Sequence, residues 1–289
     1  MNTIQIWTLA ARPKTLVASI SPVLIGTALA IGDGIFDIAL FFFTLATALG
    51  IQITTNFAND YFDFIKGADT QNRKGFVRAT QAGLVEPAAM KRATLIIMAI
   101  TAISGAFLIY TGGMAIATLL LLSLILAIAY TGGPFPLAYL GLGELFVLPF
   151  FGPVATCGTY YLQTGELSWD AIGAGLAPGA ISTAILIVNN LRDIDEDRIA
   201  KKRTLIARFG KTFGKCEFLL VILLAFLPLL FFYSDHPFSL LALLALFPAL
   251  ALIRSIFINQ EPRQLNPLFA KTGQLLWLYT LLFCIGWML

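Results

Sequence analysis

Charge is scarce in this sequence. Only 12% of its 289 residues are Asp, Glu, Lys or Arg, while 58% are hydrophobic; a soluble domain is about a quarter charged and just under half apolar. That scarcity excludes a disordered chain, a basic nucleic-acid binder and a disulfide-stapled secreted scaffold, none of which carries so much apolar surface. Cysteine is nearly absent. Cys157, Cys216 and Cys284 stand alone in apolar stretches without a CxxC pair, so they are read as packing residues rather than as a disulfide or metal site. The lone histidine, His236, falls in a short turn, where an interfacial or solvated place is expected. The first fourteen residues lack the charged-then-apolar order and small-residue cleavage site of a signal peptide, and the mature chain is expected to begin at Met1.

What is abundant is long apolar runs, with a mean hydropathy of +0.84. At roughly 20 residues per crossing, the length has room for about eight to ten membrane helices and no sizeable soluble domain. Runs near 15–32, 38–58, 91–110, 114–130, 145–163, 171–190, 216–233, 238–258 and 270–288 give nine spans in one multi-pass unit. With the N-terminus inside, the outside turns near 33–37, 111–113, 164–170 and 234–237 hold Asp33, Asp37, Glu166, Asp170 and Asp235 but no Lys or Arg. All nineteen basic residues then lie in the inside loops, in the N-terminal segment or at inside helix ends, which fixes the expected orientation. Two inside segments are long and polar, so function is expected on the cytoplasmic face.

The first polar segment carries Asn56, Asn59, Asp60, Asp63, Lys66 and Asp69 at the end of the second span. The spacings from Asn56 to Asp60 and from Asp60 to Asp63 put these side chains on one helical face. The second segment repeats the device at the end of the sixth span, where Asn189, Asp193 and Asp197 are four apart and Asp195 and Glu196 point off that face. Four spans separate the clusters, which suggests a duplicated four-helix unit within residues 1–289. A single Asp-rich loop beside Lys and Arg is an ordinary solvated loop. Two matched clusters at membrane depth favour function, because such carboxylates repel one another unless cations compensate them. Oxygen donors without His or thiolate favour Mg²⁺. Arg73, Lys74 and Arg78 follow the first cluster and Arg198, Lys201, Lys202 and Arg203 the second, and acid beside base suits a metal-bound diphosphate.

A third segment runs from Tyr130 through Gly132-Gly133-Pro134 to Tyr139, Gly141 and Glu144. Its Gly and Pro density breaks helix where backbone is buried in protein or lines a cavity. Its aromatics could bound an aromatic substrate; a tight loop with Tyr130 and Tyr139 in an interfacial belt is the equal alternative.

These residues resemble the UbiA superfamily of intramembrane prenyltransferases. The paired motifs Asn56…Asn59-Asp60-Tyr-Phe-Asp63 and Asn189…Asp193-Ile-Asp195-Glu-Asp197 match it, and Ala11-Arg12-Pro13-Lys14-Thr15 and Lys202-Arg203-Thr204-Leu205 spread the likeness over nearly the whole chain. Many relatives place a lysine four residues after the third segment's tyrosine, where this chain has Pro134; the Gly-Gly-Pro version resembles the branch that prenylates 1,4-dihydroxy-2-naphthoate. The resemblance implies an all-α membrane protein with nine helices around a central cavity. It implies Mg²⁺-dependent transfer of a polyprenyl chain from an allylic diphosphate to that naphthoate, with loss of CO₂ and diphosphate, giving demethylmenaquinone in menaquinone biosynthesis. Asp60, Asp63, Asp193 and Asp197 become the expected metal-site acids, supported by Asn56, Asn59, Asn189 and Asp69. Arg73, Arg78, Arg192, Lys202 and Arg203 are diphosphate candidates, and Tyr130 and Tyr139 border the acceptor. Arg12 and Lys14 meet a carboxylate or phosphate, or simply anchor the first helix. A bacterial cytoplasmic membrane is the expected location, with a plastid membrane the alternative. Another aromatic acceptor, such as 4-hydroxybenzoate or homogentisate, is the nearest rival reading, and a cation-coupled transporter the more distant one.

Overall fold

The N-terminus opens on a helix that hydropathy alone does not announce. The Asn2 side chain accepts from the Gln5 amide at 2.9 Å and the Gln5 side chain accepts from the Asn2 amide at 3.0 Å, a reciprocal cap that starts α1 (Thr3–Ala11). Arg12, at φ 52° and ψ 67°, breaks the run, and Pro13 at the first helical position begins α2 (Pro13–Gly32). Asp37 caps α3 (Ile38–Ile65) by accepting from the amides of Ala39 and Leu40 at 2.8 and 3.0 Å. This helix runs past residue 58 to Ile65, so Asn56, Asn59, Asp60 and Asp63 all ride on its last turns.

This computed structural model describes residues 1–68, 75–258 and 261–289, and among them every regular element is helical. After α4 (Pro87–Ala129) come α5 (Leu137–Leu140), α6 (Gly143–Phe150), α7 (Pro153–Thr164), α8 (Trp169–Arg192) and α9 (Ile194–Ile199). They are followed by α10 (Leu205–Phe209), α11 (Lys211–Phe226), α12 (Leu229–Phe232), a 3₁₀ helix (Pro237–Ala245), α13 (Leu246–Ile258) and α14 (Pro262–Met288). Among the described residues eight helical stretches are long and apolar enough to cross a membrane. One of them, α4, has 43 residues, about 64 Å at 1.5 Å per residue and twice a bilayer's hydrocarbon thickness. Gly113, at φ 64° and ψ −151°, is non-helical and divides it into the two runs expected at 91–110 and 114–130. Counted so, the architecture is consistent with nine crossings, and the chain is a multi-pass membrane protein.

Helix α8 is the hub. Its Ala174, Ala177, Ala180 and Ala184 are buried, and its glycines let neighbouring backbone come close: a Cβ at Gly179 would lie 2.2 Å from the Leu148 carbonyl oxygen of α6. Small residues at such crossings are how helices associate without a hydrophobic drive from water. The tight seat of α8 holds its polar end, Asn189 to Arg192, in a fixed place. Away from that end, His236 stacks on Trp287 with ring centroids 3.7 Å apart. Cys157 and Cys284 are half-buried as expected of packing residues, whereas Cys216 is exposed on α11.

Candidate active site

The C-terminal ends of α3 and α8 meet at one end of a cavity of about 520 Å³. Asn56, Asn59 and Asp63 line it from α3, Asn189, Asn190 and Arg192 from α8, Asp193 from the turn into α9, and Glu196 and Asp197 from α9 itself. Away from this polar end the wall is mainly apolar, from Phe146, Phe150 and Leu186 to Leu108, Ile116 and Leu162, with hydroxyl residues such as Thr44, Thr47 and Ser123 among them. Residues flanking the Gly113 break therefore share a cavity with the acidic motifs.

Asp63 is the centre of the first cluster and is 1% exposed. Its Oδ2 accepts from Lys202 Nζ at 3.0 Å and from Arg78 Nη2 at 3.3 Å, and its Oδ1 accepts from the Tyr139 hydroxyl at 2.9 Å. Lys202 reaches back because Lys201 sits at φ 56° and the Lys202 amide donates to the Asp197 carbonyl at 2.8 Å. The Tyr139 ring has Lys66 Nζ at 4.4 Å and Lys202 Nζ at 4.9 Å from its centroid, a cation–π contact for each. Lys66 also donates to the Thr131 carbonyl at 2.6 Å. Partial burial, with Lys202 adding repulsion, holds the Lys66 ammonium below the ordinary lysine pKa against the pull of Asp63.

The second cluster turns on Arg192, 1% exposed. It donates to Asp193 through Nε at 2.6 Å and Nη2 at 2.7 Å, to Asn189 Oδ1 at 2.6 Å and to Asn266 of α14 at 3.2 Å. Its guanidinium lies 5.2 Å from the Phe76 ring centroid. Asp197 accepts from the Thr204 hydroxyl at 3.4 Å.

The remaining expected residues divide. Asn59 Oδ1 accepts from Thr131 at 2.7 Å, and Asn56 Nδ2 donates to the Ala11 carbonyl at 2.9 Å and Thr15 at 3.1 Å, tying α3 to the α1–α2 joint. Arg12 and Lys14 line the cavity, as do Tyr130, Arg78 and Lys202. Asp60 does not line it. Although 1% exposed, it faces the segment after residue 75, where its oxygens accept from the amides of Ala79 at 2.9 Å and Thr80 at 3.0 Å. Asp60 thereby holds the loop that carries Arg78. Arg203 also lies outside the cavity wall, and its amide donates to the Tyr139 carbonyl at 2.9 Å. Asp69 and Arg73 fall outside the described residues.

The third segment folds back against these groups. Gly141 sits at φ +77°, and a Cβ on it would lie 2.3 Å from the Arg203 carbonyl oxygen, so both the turn and the close approach require glycine. The sequence reading missed Lys66, Thr131, Asn190, Glu144 and Asn266 as members of the site. Their only prior signal was a polar side chain inside or beside an apolar run.

Among the described residues no three His, Cys, Asp or Glu side chains gather closely enough to hold a metal by themselves. Asp63 is compensated by Arg78 and Lys202, and Asp193 by Arg192. The donor set, carboxylate and amide oxygen throughout, has the chemistry of a hard-cation site.

Residues 19–281 match the UbiA prenyltransferase family. The chain is 37% identical over 295 residues to the 1,4-dihydroxy-2-naphthoate octaprenyltransferase of Escherichia coli (strain K12), covering 98% of this chain and 94% of that one. It is 35% identical to the protein of the same name from Mycobacterium tuberculosis, over 92% and 91% of the two chains. The fold is that of the apo UbiA homologue from Aeropyrum pernix K1, with TM-score 0.72 at 15% identity over 95% and 98% of the chains. The Archaeoglobus fulgidus UbiA homologue bound to GPP and Mg²⁺ gives TM-score 0.65 at 12% identity over 96% and 99%. Paired acidic helix ends above an apolar cavity, and these similarities along nearly the full chain, lead to one conclusion: the chain belongs to the UbiA prenyltransferase family and is a membrane-embedded prenyltransferase.

Proposed function

We propose that this enzyme transfers a polyprenyl chain from an allylic diphosphate to 1,4-dihydroxy-2-naphthoate, with loss of CO₂ and diphosphate, giving demethylmenaquinol, the hydroquinone form of demethylmenaquinone, in menaquinone biosynthesis. The observation that carries the reading is the two-part cavity, with carboxylates, amides and cations at one end and an apolar wall along the rest. The names of the Escherichia coli and Mycobacterium tuberculosis relatives point to the same acceptor.

Mg²⁺ fits the oxygen-only donor set, and when bound it supplies Lewis-acid neutralisation of the leaving diphosphate. Asp63, Asp193 and Asp197 would hold it jointly with oxygens of the substrate diphosphate, Asp60 would support them through the loop that carries Arg78, and Asn56, Asn59, Asn189 and Asp69 are assigned to the same site. Arg78, Arg192 and Lys202, with Arg73 and Arg203, are assigned to diphosphate oxygens left over. The apolar wall seats the isoprenoid and keeps water from the allylic cation. The electron-rich naphthoate ring, bordered by Tyr130, then attacks that cation, and loss of its carboxylate as CO₂ restores aromaticity; Tyr139, expected beside the ring, lies outside the cavity wall and instead donates to Asp63. The reading takes residues 1–289 as one prenyltransferase domain in a bacterial inner membrane, its two acidic motifs being equivalent ends of a duplicated four-helix unit.

Purified protein given one prenyl diphosphate and, separately, the naphthoate, 4-hydroxybenzoate or homogentisate is expected to prenylate the naphthoate, with activity lost in excess EDTA. Turnover of 4-hydroxybenzoate alone, or full turnover in EDTA, would reject the acceptor or the metal.

The reading also places the acidic motifs in the cytoplasm, as the one-sided Lys and Arg distribution suggests. Single cysteines at the exposed Ala82 and the half-exposed Ala200 in a cysteine-free background are expected to resist an impermeant thiol reagent in intact cells and to react in inverted vesicles. A cysteine at the exposed Glu166 should behave oppositely, and labelling at Ala82 from outside would overturn the orientation.

A further inference from the structure

Asn189 and Asn190 are neighbours on α8, yet their amides serve opposite chemistry. Asn189 offers its oxygen to Arg192 at 2.6 Å, whereas Asn190 gives its nitrogen to Glu144 Oε1 at 2.9 Å. Glu144 and Asn190 are 7% and 6% exposed, and a buried ionisable group inside a membrane helix signals a task. Because the Asn190 nitrogen faces Glu144, the oxygen end of the same amide points away from that side chain. Asn190 lines the main cavity, and among the described residues no protein group donates to its Oδ1.

Tyr130 stands beside it. This residue lines the cavity too, and with Gly143, Glu144 and Asn190 it encloses a small recess off the cavity. A Cβ at position 143 would come 3.2 Å from the Tyr130 hydroxyl, so glycine there leaves room for that oxygen. Glu144 follows Gly143 on the first turn of α6, so these adjacent residues meet Asn190 and Tyr130 at one recess.

We propose that Asn190 Oδ1 accepts a hydrogen bond from a ring hydroxyl of the aromatic acceptor, with the Tyr130 hydroxyl alongside, and that Glu144 is the positioning residue that keeps this oxygen turned to the substrate. The proposal rests on the aromatic-acceptor reading and names how that acceptor is recognised. A ring hydroxyl that donates to a neutral carbonyl oxygen releases more electron density into the ring, which helps the carbon that attacks the cation. A ring lacking the hydroxyl leaves a buried amide oxygen without a donor, and sites built this way reject such analogues.

The test compares wild type, Asn190→Ala, Glu144→Leu and Glu144→Gln on 1,4-dihydroxy-2-naphthoate and on its two monohydroxy analogues, with prenyl diphosphate and Mg²⁺ saturating. Wild type is expected to favour the dihydroxy ring over one analogue by about tenfold or more in kcat/KM. In Asn190→Ala and Glu144→Leu that preference should shrink by about fivefold or more toward the intrinsic reactivity difference of the rings, with the acceptor KM raised and the prenyl diphosphate KM unchanged. Glu144→Gln should retain most of it, because its amide oxygen still accepts from Asn190. A merely structural role would lower turnover of all three rings alike and leave the preference intact, which would overturn the proposal. If Glu144→Leu fails to fold, Asn190→Ala decides alone. A wild type that prenylates another phenolic acid rejects the naphthoate reading, and the same comparison on that phenol and its deoxy analogue then decides the subsite. Turnover of no hydroxylated aromatic overturns both.

Discussion

Asp63→Asn is expected to lower turnover by about 10²–10³ while leaving a folded protein, the scale at which removing one preorganised electrostatic group shows in a rate. Asn preserves shape and one acceptor oxygen for the Tyr139 hydroxyl, which now bonds Asp63 at 2.9 Å. It removes the negative charge that both Lys202 and Arg78 address and one anionic ligand from the proposed metal site. Steady-state rates across an Mg²⁺ titration, with thermal unfolding in detergent as the folding control, check this. A rate within about threefold of wild type at ordinary Mg²⁺ would remove Asp63 from the chemistry.

Arg192→Gln should produce the largest loss of stability of any single change at the site. The guanidinium is 1% exposed and joins Asp193 and Asn189 to Asn266 of α14. Removing one partner of a buried ion pair costs about 3–5 kcal/mol, since the other charge stays desolvated. Gln cannot reproduce the two-pronged contact to Asp193. Unfolding of the substrate-free, metal-free protein in detergent is the readout, and a midpoint unchanged from wild type would show that Arg192 is not the tie between α8 and α14.

Much of this was legible because a membrane leaves a chain few options. Apolar runs and the one-sided placement of Lys and Arg mark the spans, and helical spacing alone puts Asn56 with Asp60 and Asn189 with Asp193 on shared faces. Other features depend on what the chain meets in space. The spacing that groups Asp60 with Asp63 says nothing of the loop whose Ala79 and Thr80 amides claim Asp60, because that partner lies on an irregular segment. Arg203 reads as one more cation in a basic run, but its backbone is what contacts Tyr139 and Gly141. The Glu144–Asn190 bond joins residues 46 apart in sequence, a pairing no local pattern encodes. Helix α1 was readable after all, from Asn2, Gln5 and Pro13 as cap and first-turn residues, although its short apolar stretch is too brief to register as a span.

The central claim is that the polar end of this cavity drives prenylation of 1,4-dihydroxy-2-naphthoate with decarboxylation. Carboxyl-labelled naphthoate, supplied with a prenyl diphosphate and Mg²⁺, is the most direct measurement. Label is expected to leave as CO₂ in step with diphosphate, with an unlabelled prenylated product. Label retained in that product would contradict it.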